Sequence, residues 1–151
     1  MIQTFFRFSR LSSPTFSYYN QYSSVKDSYY SSILAVAGFV ILAGAAILRF
    51  SGLVPMYLTY LTIVAAAVIF ADAYFVYNGS HAAKAIGIPL GIIAMIVSSN
   101  PAHFSALARF GSSPALSGAD ITMVLGFYLL PAVYIISYVL ETISSRERLR
   151  Q

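Results

Sequence analysis

The chain has no cysteine and no tryptophan, and only 9% of its 151 residues are charged. The missing cysteine excludes disulfides, iron–sulfur ligation, thiolate chemistry and any zinc site built on Cys. The missing tryptophan leaves tyrosine, present 12 times, to supply any aromatic belt at the lipid headgroups. Charge is scarce against the roughly 25% of an ordinary soluble domain, and hydrophobic residues make up 58%. The net charge of +4 comes from basic residues scattered along the chain. No basic stripe with interleaved aromatics exists, which argues against a nucleic-acid partner. Also missing are a Ser/His/Asp set, a Gly-rich phosphate loop and a carboxylate pair at glycosidase-like spacing.

What the chain does have is four long apolar runs: Tyr29–Phe50, Leu53–Asn78, His81–Ser99 and Ile121–Ile143. Each is about the 20 residues that a helix needs to cross roughly 30 Å of hydrocarbon. The fold class that follows is all-α: a polytopic membrane protein with four transmembrane helices and an N-terminal amphipathic segment. The lipid bilayer is then its first partner.

Residues 1–28 read as a separate interfacial segment. Ile2, Phe5, Phe6 and Phe8 gather on one side of a helical wheel, opposite Gln3, Arg7 and Arg10. There is no apolar core of the secretory type. An Arg- and Ser-rich stretch without an acid before Asp27 has the look of a mitochondrial import segment; a helix lying on the headgroups of any membrane has the same pattern. The inner mitochondrial membrane is the favoured location, with a prokaryotic plasma membrane as the alternative.

Residues 29–151 form the membrane domain. Arg49, Ser51 and Gly52 make a short turn, Pro55 is expected in the first turn of the second helix, and Asn78–Gly79 stop that helix. Ser80 is placed to cap the third. Ser31, Gly38, Ala45 and Gly52 recur every seven residues, and Ala83, Gly87 and Gly91 every four, so both rows suit close helix packing. Pro89 and Pro131 are expected to kink their helices. Asn100–Pro101 opens an interfacial helix near 101–110. Ser112 to Gly118 reads as irregular, Asp120 as the cap of the fourth helix, and the chain ends in a short basic tail. Arg7, Arg10, Lys26, Lys84, Arg146, Arg148 and Arg150 fall on one side, with Arg49 and Arg109 on the other. That bias puts both termini on the cytoplasmic or matrix side.

Few residues invite chemistry. Asp72 is the acid inside an apolar run, and an ionisable group at such depth is a functional candidate by default. The simpler expectation is that Asp72 pairs with Lys84 across the tight 78–80 turn. His81, at the same turn, reads as a cap or headgroup contact. His103 lies on the opposite side of the membrane, so the two histidines cannot hold one haem or metal. Glu141 reads as a solvated helix end.

Two stretches resemble a known family. Arg10, Ser13, Pro14 and Tyr19 stand at the offsets of the N-terminal signature of the succinate dehydrogenase cytochrome b subunit, the large membrane anchor of respiratory complex II. Ser28 stands where that family has a serine near the ubiquinone site. The run Ala73-Tyr74-Phe75-Val76-Tyr77-Asn78-Gly79-Ser80-His81 is similar to the end of the family's second helix. The departures are specific. Phe75 occupies the position of the haem-ligating histidine, Ser31-Ser32 replace a His-Arg pair, and four crossings stand where the family has three. The resemblance implies a haem-less anchor whose quinone site is altered or shared with a partner.

The expected function is therefore a non-catalytic integral membrane subunit of a multi-subunit respiratory, electron-transport complex. It would have other membrane subunits as partners and bind no cofactor by itself, with ubiquinone or lipid at a shared interface. Ser28, Asp72, His81 and Lys84 are its quinone- or ion-related candidates, and Gly38, Ala45, Gly87 and Gly91 its packing positions. The alternative is a small proton- or ion-coupled transporter or channel using Asp72. A membrane-embedded lipid enzyme lacks the clustered polar residues it would need.

Overall fold

The computed structural model describes residues 14–52 and 54–148, with side chains over 25–147. All secondary structure among them is helical. The elements are α1 (Pro14–Phe50), α2 (Met56–Tyr77), α3 (His81–Ser98), the short α4 (Pro101–Leu107), α5 (Pro114–Val124), a π-helical turn over Leu125–Leu129, and α6 (Leu130–Arg148). Four stretches are long and apolar enough to span a membrane: Val25–Phe50, Met56–Tyr77, His81–Ser98 and Pro114–Glu147. The last comprises α5, the π turn and α6 in one run. The protein is an integral membrane protein with four crossings.

Local chemistry sets the helix ends. Asn100 caps α4 by accepting from the Ala102 amide at 2.7 Å, and Pro101 follows at the first helical position. Ser113 and Pro114 repeat the device at the start of α5, the serine accepting from the Leu116 amide at 3.2 Å. This overturns two expectations. The stretch from Ser112 to Gly118 is helical from Pro114 onward, and Asp120 is not a cap but a buried residue inside α5. Between α2 and α3, Ser80 donates its amide to the Phe75 carbonyl at 3.0 Å and Gly79 donates to Val76 at 2.9 Å. That pairing needs a left-handed residue, and Gly79 supplies it with φ +80°. Ser80 then caps α3 by accepting from Ala83. Pro55 stands just before α2 rather than within its first turn.

The N-terminal part differs from the expected separate segment. From Pro14 onward it belongs to α1, a helix of 37 residues, roughly 55 Å at 1.5 Å per residue. No break occurs at 28–29. The amphipathic pattern over 1–13 lies outside the described residues, as do Arg10, Ser13 and Arg150.

Helix α1 is the central post, because small residues open two of its sides. On one, the Ser31 hydroxyl donates to the Ala73 carbonyl at 2.9 Å, and a Cβ on Gly38 would stand 2.8 Å from the Phe70 ring. Part of the seven-residue row thus faces α2. Ala45, lower in that row, is buried. On the other side, Gly126 of the π turn lies against Ile41, and Gly118 against Ile47. Helix α3 uses its own seam on the fourth crossing: a Cβ on Gly87 would come within 2.6 Å of the Tyr134 ring, and one on Gly91 within 3.2 Å of Pro131. In lipid, where helices gain little from burying apolar surface, such close approach is a main source of association.

Pro131 explains the π turn. It cannot donate to the Phe127 carbonyl, and its ring would clash with that carbonyl in a regular helix. The widened turn, in which Leu130 donates to Leu125, comes immediately before it. Large apolar side chains such as Tyr57, Tyr60, Val64, Ile96 and Val97 remain exposed on α2 and α3. This is the surface expected toward hydrocarbon.

Candidate functional site

Among the described residues, one end of the bundle gathers three of the four buried charged side chains, Asp27, Asp72 and Lys84. The start of the α1 span, the end of α2, the start of α3 and the end of α6 meet there. On α1, Lys26 and Tyr30 are one turn apart, as are Asp27 and Ser31, so this part of the helix presents polar groups inward. On α6, Tyr134, Tyr138 and Glu141 follow at helical spacing and face them.

At the centre is Lys84. Its Nζ lies 2.5 Å from Asp27 Oδ1 and 4.8 Å from the centroid of the Tyr30 ring. Both charged side chains are about nine-tenths buried, at 9% and 12% exposure. The Tyr134 hydroxyl donates to the backbone carbonyl of Lys84 at 2.9 Å. Tyr134 also meets Tyr30 edge to face, with centroids 5.2 Å apart. One residue of α3 is thereby tied to α1 through its side chain and to α6 through its backbone. A second, half-exposed pair closes the ring: Lys26 Nζ donates to Glu141 Oε1 at 3.3 Å. Tyr29 and Ser137 share a hydrogen bond at 3.2 Å.

This arrangement corrects two readings. Lys84 pairs with Asp27, not with Asp72. Asp72 does come from a neighbouring helix, but α1 continues unbroken past residue 28 and brings Asp27 into the position first. Asp72 is buried, and its Oδ2 has no hydrogen-bond partner among the described residues. Glu141 is not simply solvated; it is half-buried and joined to Lys26.

No protein-family model, curated protein or solved structure matches this chain.

Of the four candidate residues, His81 and Lys84 come together. Both line a cavity of about 270 Å³ with Tyr138, Glu141, Thr142, Ser145 and Arg146. Asp72 does not line it. Ser28 is exposed on α1, its carbonyl accepting from Ser32 at 2.7 Å. Phe75 points outward, 55% exposed. His103 belongs to α4, beyond the far end of α3, whose 18 residues span roughly 27 Å. Among the described residues no three His, Asp or Glu side chains cluster as a metal site would require.

The sequence reading missed Asp27, Lys26, Tyr30 and Tyr134. A signal existed for the first two: an acid and a base immediately before an apolar run, at the membrane end that also holds Lys84 and Glu141. Nothing in the sequence distinguishes Tyr134 from the other tyrosines. At the far end, Asp120 and Thr59 are buried, each with an oxygen lacking a partner among the described residues.

Proposed function

We propose that this protein is a non-catalytic integral membrane subunit of a multi-subunit respiratory complex, a divergent, haem-less anchor of the complex II type. One observation carries the reading. At the charged end of the bundle two ion pairs join helices to one another, Asp27 with Lys84 and Lys26 with Glu141. A lysine held by a carboxylate, an aromatic face and a bound carbonyl is fixed in place. A coupling group in a carrier must change partners during its cycle, and for this lysine that would mean leaving a buried carboxylate unpaired. The glycine seams are likewise filled from within the chain, which gives a rigid post for other subunits to assemble on. The sequence resemblance to the succinate dehydrogenase anchor, with Phe75 in the ligand position, supports the complex named. Quinone or lipid would sit at the interface shared with those subunits, and the inner mitochondrial membrane fits the basic N-terminal stretch.

A second reading, a proton- or ion-coupled transporter or channel, has one observation in its favour: the buried Asp72 with an unpartnered oxygen. Replacing Asp72 by Asn separates the two. The subunit reading expects assembly of the complex and its electron-transfer rate to persist. Loss of proton-coupled transport in vesicles holding this chain alone would establish the second reading instead.

A further inference from the structure

We propose that the 270 Å³ cavity at the charged end of the bundle binds the phosphate of an anionic phospholipid headgroup, with Arg146 and His81 as its principal donors. The proposal does not depend on the respiratory assignment.

Besides Tyr138, four ionisable residues line the cavity: His81, Lys84, Glu141 and Arg146. Two of them are already answered from α1, Lys84 by Asp27 and Glu141 by Lys26. Arg146 has no ion-pair partner among the described residues, so the lining as a whole presents positive charge. Its guanidinium offers the fork of N–H groups that suits phosphate oxygens. The hydroxyls of Thr142 and Ser145 donate to the carbonyls of Tyr138 and Glu141, at 2.9 and 2.8 Å. Their hydrogens are committed. Donation to an anion therefore falls to Arg146, the His81 ring, the Tyr138 hydroxyl and the remaining Lys84 hydrogens.

Position selects the source of the phosphate. His81 is the first residue of the third crossing, and Arg146 lies in the last turn of the fourth. The cavity therefore opens at the level where headgroups lie. It is smaller than the roughly 300–1,000 Å³ of pockets that enclose a whole small ligand. A headgroup fits this case, because its chains stay outside. The exposed Val139, Leu140 and Ile143 on the same stretch of α6 provide an apolar track beside it.

The test uses the whole chain purified in mild detergent and stripped of lipid. Phosphatidylglycerol should raise the unfolding temperature, and native mass spectrometry should show it bound. Phosphatidylcholine should do neither at the same concentration. The combined variant His81→Ala, Arg146→Ala should need about ten-fold more phosphatidylglycerol for the same occupancy. Arg146→Lys should keep most of the response, and Arg109→Ala, at the opposite end, should keep all of it. Both altered side chains are exposed, so the variants should unfold like the parent in the absence of lipid. Should their baseline fall, the count of lipid on the folded fraction decides. Equal response to the two lipids, or an unchanged response in the double variant, would overturn the proposal. Inorganic phosphate that occupies the site and leaves no effect of phosphatidylglycerol would overturn the lipid assignment in favour of a soluble phosphate.

Discussion

Asp27 and Lys84 join the first and third crossings by a buried ion pair, 2.5 Å between Oδ1 and Nζ, under the face of Tyr30. Each charge is tolerable there because the other is present. Removing either partner alone leaves an uncompensated buried charge, at a cost of about 3–5 kcal/mol.

Asp27→Asn and Lys84→Gln should each lower stability strongly in detergent unfolding, and the double variant Asp27→Leu, Lys84→Met should recover much of the loss. In a double-mutant cycle the coupling of Asp27 with Lys84 should reach about 1–3 kcal/mol, while Asp72 with Lys84 should be additive within about 0.5 kcal/mol. A large Asp72–Lys84 coupling would mean that the two pair after all. Lys26→Ala should cost less, about 0.2–1 kcal/mol if the loss is that of its half-exposed pair with Glu141.

Gly87 is a point of close approach between α3 and α6. Gly87→Ala places a Cβ within 2.6 Å of Cε1, Cζ and the hydroxyl oxygen of Tyr134 alike. Overpacking of this kind costs about 1–3 kcal/mol. Because ring carbons are as close as the oxygen, Gly87→Ala with Tyr134→Phe should remain destabilised. Full recovery in that double variant would place the clash at the hydroxyl alone.

The absence of native cysteine makes topology directly measurable. With single cysteines at Asn20, Phe110 and Arg148, a membrane-impermeant thiol reagent should reach positions 20 and 148 from one side and 110 from the other. Labelling of 20 and 148 from opposite sides would contradict four crossings.

Much of this architecture was legible in the sequence, and the physics says which parts. Segment length against bilayer thickness gave the crossings, and Asn78–Gly79–Ser80 and Asn100–Pro101 gave their ends, because caps depend on a few adjacent residues. The start of α5 was misread although Ser113–Pro114 repeats the same chemistry; the Ser/Gly-rich composition around it suggested irregular chain. The partner of Lys84 was not legible. Proximity across a tight turn favours Asp72, whereas the choice of Asp27 depends on where α1 and α3 are held by their separate packing on α2, at Gly38 and Phe70, and on α6, at Gly87 and Tyr134. The cavity was hidden for the same reason, since His81 and Arg146 come from different helices.

The central claim is that this chain works as a subunit and not alone. The direct measurement is a native gel of a tagged chain extracted from its own membrane in mild detergent, stained for succinate- or NADH-driven dye reduction. The account predicts that the tagged chain migrates with a larger complex and that its band coincides with the activity. Migration of the chain alone or as a homo-oligomer, apart from any such activity, would contradict it.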